Sequence, residues 1–394
     1  MKPIHVGALS CLLFVQAAAQ TPLTFQDIQA KARPAPEQWR ADSLIAERRL
    51  QLQESRGLLR EGPSLSLTAG PRRIPGAPGT TDKGFEVDLP LFLSPNVRAD
   101  LEKILGKTHP LLMDAALREG THRLRTAYLD AWLAARLLAL READLITVEK
   151  WLKAARTRFE AGADPAFQVS LVEGEWLKIQ QDLDDARVQE ARTWGALVAL
   201  AEVSVAPFPL AEPGPIPVVC TLDLERRLEE GPLRKALMAQ AAMEEQSLRL
   251  RQSMALSRWS LRGSYAQEGE EKVSRLGIAV RLPRPGEGSS IRLSTETQLR
   301  ASQGAARQAL AELDARAVGA LSRIKATTAL DVSPDFTKAI EAVGLRLQEG
   351  RERPSEALPI RRQLLESQMA SLRRLHAQHL LASELQTLLP RMVR

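Results

Sequence analysis

From Val97 to Glu160 the chain runs for 64 residues with helical spacing, softened only near Gly106 to Pro110. A continuous helix of that length would extend about 96 Å, several times an ordinary globular helix. Such a rod needs other helices to cover its apolar side along its length. The helix expected next, about Ala166 to Val203, carries a matching stripe. Val172, Trp176, Ile179, Leu183 and Ala186 step by 4, 3, 4 and 3, a coiled-coil spacing that predicts left-handed supercoiling. Between Ala127 and Leu140 the first helix is apolar nearly all round, Asp130 and Arg136 excepted. That pattern predicts neighbours on two sides.

The N-terminus has the form of a secretory signal. Lys2 is followed by an apolar run from Val6 to Val15 and by Ala17-Ala18-Ala19. The run is too short to span a bilayer, which takes about 20 residues. Residues 1–19 are therefore expected to be removed. Cys11 lies inside the signal, within the poor lipobox context of Ala8-Leu9-Ser10, which leaves Cys220 alone in the mature chain. One thiol forms no internal disulfide. No later segment has 18 consecutive apolar residues, so no transmembrane helix is expected. The 54 basic residues are interleaved with 48 acidic ones and never form a run of five. The net charge of +6 is thus spread over solvated helix faces and does not point to nucleic acid.

The mature sequence uses one order of elements twice. In the first copy, residues 20–205, a helix of about Glu37 to Arg60 precedes two alternating stretches. Leu65, Leu67 and Ala69 share one face in residues 63–70. Phe85, Val87, Leu89 and Leu91 share one in 84–92, with Glu86 and Asp88 opposite. Period two with one apolar face predicts strands. A Gly/Pro-rich loop from Gly70 to Lys83 is expected between them, and a helical hairpin over about 97–203 after them. The linker 206–220 carries Pro207, Pro209, Pro213, Pro215 and Pro217 and cannot be helical.

In the second copy, residues 221–394, a helix of about Pro232 to Ser257 leads into strands 258–266 and 274–283. Trp259, Leu261, Gly263 and Tyr265 share a face, opposite Ser260, Arg262 and Ser264. Leu276, Ile278, Val280 and Leu282 alternate with Gly277, Ala279 and Arg281. A turn is expected from Gln267 to Lys272. A helical hairpin over about 290–389 completes the copy, broken near Asp331 to Pro334 and turning at Gly350 to Pro354. Punctuation matches between copies. Gly84, Val87, Leu89 and Pro90 correspond to Gly277, Val280, Leu282 and Pro283 at a shift of 193, and Arg158 and Gly162 to Arg346 and Gly350 at 188. Pro165 corresponds to Pro354 at 189.

Strands of this length suit a tilted membrane crossing. Four cannot close a barrel, since membrane barrels begin at about eight strands, and lipid tolerates no open sheet edge. Strands that cross the outer membrane must therefore be pooled by several chains, and three chains supply twelve. The polar faces, with Glu86, Asp88, Arg262 and Arg281, suit a water-filled lumen. Phe85, Phe92, Trp259 and Tyr265 are the candidates for an aromatic girdle. The expected fold class is mainly α with a small β part: two tandem copies of helix–strand–strand–long helix–helix.

At several places the sequence resembles the TolC-like outer-membrane efflux proteins. PLTFQDIQAKA (22–32) is similar to that family's opening helix, and GFEVDLPLF (84–92) to its strand-to-helix junction. RTAYLDAWLAARLLAL (125–140) and the segment 158–201, beginning RFEAGADPAFQVS, resemble its first periplasmic hairpin. LRLQEGRERPSEALPIRRQLLESQMASLRRLHAQHLL (345–381) resembles the second more loosely, with Leu347 where the family often has an aromatic residue. Ala35-Pro36 stands where Asn-Pro is usual, and the break at Pro334 is similar to the CzcC-like metal-efflux branch.

The resemblance implies a homotrimer in the outer membrane of a Gram-negative bacterium, with a shared twelve-stranded β-barrel on an α-helical periplasmic barrel. It implies docking on a periplasmic adaptor protein and an inner-membrane pump of RND or ABC type, with outer-membrane lipid around the strands. Arg158, Gly162, Pro165, Arg346, Gly350 and Pro354 match the tip positions through which the family meets its adaptors. Asp164, Glu349 and Glu352 match the acidic constriction, with Arg351 and Arg353 placed to neutralise them. The lipid-crossing residues would be Leu65, Leu67, Phe85, Val87, Leu89, Trp259, Leu261, Ile278, Val280 and Leu282.

No chemistry competes. His376 and His379, three apart on a helix, have no third ligand nearby and share a seam with Leu365, Met369 and Leu372. RPGEGSS (284–290) lacks the Lys-Ser/Thr of a phosphate loop. No Ser sits in a nucleophile elbow, so no enzyme, cofactor or metal is expected. The alternative from another class is a soluble periplasmic coiled-coil scaffold or adaptor.

Overall fold

The computed structural model describes residues 21–55, 64–72, 80–91, 95–215, 224–256, 259–268, 271–280, 286–328 and 336–390. The signal segment, Phe92, Cys220, Arg281, Leu282 and the break at 331–334 lie outside them. By its internal contacts the chain divides into two units. The first is drawn from Met1–Pro34, Thr121–Cys220 and Ala320–Leu385; the second from Ala35–Gly120, Thr221–Gly319 and Gln386–Arg394.

The first unit begins with α1 (Phe25–Ala30), which the resemblance flagged and periodicity did not. Thr24 and Asp27 form a capping box: the Thr24 amide donates to Asp27 Oδ2 at 2.9 Å, and the Asp27 amide to Thr24 Oγ1 at 3.3 Å. The Thr24 hydroxyl, donating to Asp27 Oδ2 at 2.6 Å, and then the Thr24 amide hold the Asp27 carboxyl below its ordinary value. α3 (Pro95–Glu160) enters this unit at Thr121. Its apolar stretch places Leu124, Ala127, Tyr128, Leu129, Ala131 and Trp132 in a core with Ile28, Trp194, Leu197, Ala201 and Leu210. Neighbours on more than one side are what the all-round apolar pattern requires. The Tyr128 hydroxyl donates to the Ala211 carbonyl at 2.6 Å, and burial pushes its pKa up to about 12.

α4 (Ala166–Leu200) follows a short turn and buries Val172, Ile179 and Leu183 of the predicted stripe. Val172 and Ile179 join α3 at Val148, Trp151, Leu152 and Ala155, and meet Leu347, Ala357 and Leu358. The latter three belong to α8 (Thr337–Gln348) and α9 (Pro354–Leu388).

The second unit holds the sheet. α2 (Pro36–Glu54) and α6 (Pro232–Leu256) run side by side in the same direction. The Arg48 guanidinium donates to both carboxylate oxygens of Glu244, at 3.0 and 3.1 Å. One turn on, the Gln51 amide and Ser247 exchange two bonds, at 3.0 and 2.9 Å. The short α5 (Leu224–Glu229) precedes α6, and α7 (Glu287–Thr328) joins it through a bidentate Arg234–Asp314 pair at 2.7 and 2.9 Å.

α3 is continuous through Pro110, which corrects the interruption expected near Gly106. The proline removes one backbone bond, a cost of about 3 kcal/mol in a helix interior. Burial of Leu101, Leu105, Leu112, Ala115 and Ala116 around it offsets that cost.

β1 (Ser64–Arg72), β2 (Thr80–Pro90), β3 (Trp259–Glu268) and β4 (Glu271–Val280) form one antiparallel sheet in sequence order. The two hairpins are joined by β2 against β3. Both hairpins extend beyond the alternating stretches. Gly70, Pro71 and Arg72 pair with Asp82, Thr81 and Thr80, where a loop was expected. Gln267 and Glu268 pair with Lys272 and Glu271, where a turn was expected. Gly and Pro had masked the period of β1. Pro71 is tolerated there because it lies one residue from the end of β1, where a missing ladder bond is least costly.

Candidate functional site

Register sorts the sheet into two faces. One transverse row is Leu65–Val87–Gly263–Leu276 and the next is Leu67–Phe85–Tyr265–Ser274. In the other direction lie Leu89–Leu261–Ile278 and the pair Trp259–Val280. These rows share a face, because residues two apart in a strand do. Every predicted barrel-strand residue within the described segments falls on it; Leu282 lies outside them. The face is uncovered: Leu276 is 79% exposed, Leu67 77% and Ile278 68%. The opposite face carries Arg262, which meets Glu86 at 2.7 Å and Asp88 at 3.6 Å. β1 and β4 each pair on one side only among the described residues.

The second cluster lies at the two helix turns of the first unit. Gly162 has φ 71° and Gly350 φ 75°, the left-handed region open to glycine at little cost. Each closes a Schellman motif. The Ala163 amide reaches the Arg158 carbonyl at 2.9 Å and the Gly162 amide reaches Phe159 at 2.9 Å. The Arg351 amide reaches Arg346 at 2.9 Å and the Gly350 amide reaches Leu347 at 3.1 Å. In both turns the arginine that accepts the motif's outer bond also grips an acid six residues on. Arg158 holds buried Asp164 through two bonds, at 2.7 and 3.2 Å, and Arg346 holds Glu352 at 3.2 Å.

The turns adjoin. A Cβ on Gly350 would lie 2.7 Å from Arg158 Nη1. The Gln168 carboxamide oxygen accepts from the Ser355 amide at 3.1 Å and its nitrogen donates to the Ser355 hydroxyl at 3.3 Å. Six sequence-selected residues, Arg158, Gly162, Pro165, Arg346, Gly350 and Pro354, thus frame one tip. The three carboxylates are all engaged: Asp164 and Glu352 as above, and Glu349 by Arg351 at 3.0 Å.

Two features of this unit had no signal in the sequence. Beside the tip, Lys150, Lys153, Thr157, Arg158 and Gln348 line a basic groove of about 360 Å³, while Phe159, Phe167, Leu345 and Ile360 stay exposed. Deeper, the buried Arg361 guanidinium donates to Asp144 and Glu175, and Arg362 also grips Glu175. Burial pushes the Asp144 carboxyl up against the pull of Arg361. Burial works the same way on Glu175, but the Arg362 bond and the Arg361 charge prevail and hold it below its ordinary range. The partners lie 217 and 186 residues from Arg361, so no local spacing announces them. His376 pairs with Asp130 at 2.7 Å. Among the described residues no three potential metal ligands gather.

No family model and no curated protein matches this sequence. Solved structures do. A membrane protein from Pseudomonas aeruginosa matches with a TM-score of 0.68 at 17% identity, over 93% of this chain and 91% of that one. CusC, described in terms of folding and transmembrane channel formation, matches at 0.66 and 14%, over 93% and 91%. The CmeC outer membrane channel of Campylobacter jejuni matches at 0.67 and 14%, over 90% and 82%. At these identities the likeness is one of fold: the chain has the fold of the TolC-like outer-membrane channels.

Proposed function

We propose that this chain is the outer-membrane component of a tripartite efflux or type I-like export system, a passive homotrimeric conduit that catalyses no reaction. One observation carries the proposal: a four-stranded sheet with an exposed apolar face, a charged opposite face and, among the described residues, two open edges. In water such a sheet is an aggregation hazard. In lipid it is a barrel segment once its edges are paired. The strands are 9, 11, 10 and 10 residues long, and a tilted strand needs about 9–11 to cross the hydrocarbon core. Among the described residues no helix is long and apolar enough to span a membrane, so the crossing falls to the strands. Pairing β1 of one chain with β4 of the next in a closed ring of three makes twelve strands, with Glu86, Asp88 and Arg262 facing water. Each chain then contributes two tandem copies of the helix–strand–strand–long helix–helix unit.

The fold supports placing the helices in the periplasm, with the tip framed by Arg158, Gly162, Pro165, Arg346, Gly350 and Pro354 as the docking point for an adaptor and, through it, an inner-membrane pump. The basic groove and the exposed Phe159 and Phe167 beside the tip suit a partner helix with mixed acidic and apolar positions. Asp164, Glu349 and Glu352 would enter any constriction already paired with Arg158, Arg351 and Arg346, so we assign it little cation selectivity.

Reconstitution tests the proposal. Detergent-extracted protein added to a planar bilayer should produce stepwise conductance. Folded protein that produces none would refute a conduit.

A further inference from the structure

At the hairpin-loop end of the apolar sheet face, register aligns Ala69, Lys83, Gln267 and Lys272 in one transverse row. The row below it holds Leu67, Phe85 and Tyr265. The Phe85 and Tyr265 rings stack with centroids 5.6 Å apart and planes 26° apart. A hollow of about 330 Å³ spans the two rows, lined by Leu67, Ala69, Lys83, Phe85, Tyr265 and Gln267. One end is aromatic and apolar; the other carries an ammonium and an amide.

Lys83 and Lys272 are both exposed, and neither has an ion-pair partner among the described residues. Among the described residues the carboxylates at this end are segregated from them. Asp82, Glu268 and Glu271 are one residue out of phase and belong to the opposite face, with Glu86 and Arg262. Two strand spacings separate Lys83 from Lys272, about 10 Å between backbones, a gap two lysine side chains can close onto one phosphate. The sequence contains two tyrosines, and one of them, Tyr265, stands in the row directly below this one, as an interfacial ring of a membrane barrel would.

We propose that Lys83, Lys272 and the Phe85–Tyr265 hollow form a binding site for a phosphate-bearing lipid of the outer leaflet. The phosphate lies between the lysines and an acyl chain lies on the two rings. The proposal rests on the membrane-crossing reading of the sheet, with the hairpin ends outward because the helices occupy the other end. A free anion would need only the lysines. An apolar platform directly beneath a pair of unpartnered cations fits an amphiphile, and charge complementarity selects an anionic one.

The test uses the full-length, detergent-purified protein titrated with bisphosphorylated lipid A and with phosphatidylcholine. Lys83→Gln/Lys272→Gln should weaken lipid A binding roughly 25-fold, each lysine near an anionic surface contributing about fivefold, and leave phosphatidylcholine binding unchanged. Tyr265→Ser, which keeps both charges, should also weaken lipid A binding. Equal lipid A affinity in wild type and the double variant overturns the proposal. So does full displacement of lipid A by millimolar inorganic phosphate. Failure of the membrane-crossing reading looks different: the wild-type protein would then leave cells without detergent and give no bilayer conductance.

Discussion

Leu276 offers the sharpest perturbation of the sheet. It lies near the middle of β4, is 79% exposed, and sits in the row Leu65–Val87–Gly263–Leu276. In water, replacing so exposed a leucine with arginine changes stability by no more than about 0.5 kcal/mol. In lipid, an arginine near the bilayer midplane costs about 2–4 kcal/mol. A threefold assembly carries that cost three times, roughly 6–12 kcal/mol per particle, enough to dissociate or unfold a marginally stable barrel. Ser66→Arg is the matched control. Ser66 is also on β1–β2 register, paired with Glu86 on the charged face, so an arginine there meets water and a carboxylate. The assay is urea unfolding of protein reconstituted in lipid vesicles, alongside recovery in the outer-membrane fraction. Leu276→Arg should lower the unfolding midpoint and the recovered amount sharply, and Ser66→Arg should leave both near the parent. Identical midpoints for Leu276→Arg and the parent would refute a lipid-facing sheet.

Other parts of the molecule yield checks of their own. Arg361→Met leaves Asp144 buried without its partner, while Glu175 keeps Arg362, and should cost about 3–5 kcal/mol, measured by chemical unfolding; adding Asp144→Asn should recover most of it. Gly350→Ala should destabilise more than Gly162→Ala. Both force φ above 70° on a Cβ, at about 1–2 kcal/mol, but only at Gly350 does the new atom strike a side chain, Arg158 Nη1; thermal melts of the two variants compare them directly. His379 is buried, and burial first, then His376 and Arg125, lower its pKa below 6.5. The neutral ring is therefore favoured in the fold, so its contribution is present above about pH 6.5 and lost as pH falls through the folded value. Melting between about pH 7.5 and about pH 5.5 should show an acid-side loss that His379→Gln reduces.

Much of this was legible because long helices and membrane-facing strands write strong periods. The 4-3-4-3 stripe of α4 and the alternation in β2 and β4 needed no tertiary information. The tip glycines were legible for a different reason: a tight helix–helix turn demands a left-handed residue. The arginine-to-acid grip six residues long, present at Arg158–Asp164 and Arg346–Glu352, was visible in the letters, but nothing local separates it from solvated charge. Strand ends failed where Gly70 and Pro71 broke the alternation, and helix continuity failed at Pro110, where packing overrides propensity. The meeting of Arg361 with Asp144 and Glu175, and of β2 with β3, joins segments far apart in the chain. Such long-range contacts leave no trace in a window of sequence.

The most direct measurement is the protein mass of the particle extracted from outer membranes in mild detergent, obtained by light scattering that separates protein from detergent. Three chain masses in a particle that precipitates when detergent is removed are expected, since no single chain can close its sheet. A monodisperse monomer that stays in solution without detergent would contradict the pooled barrel and everything built on it.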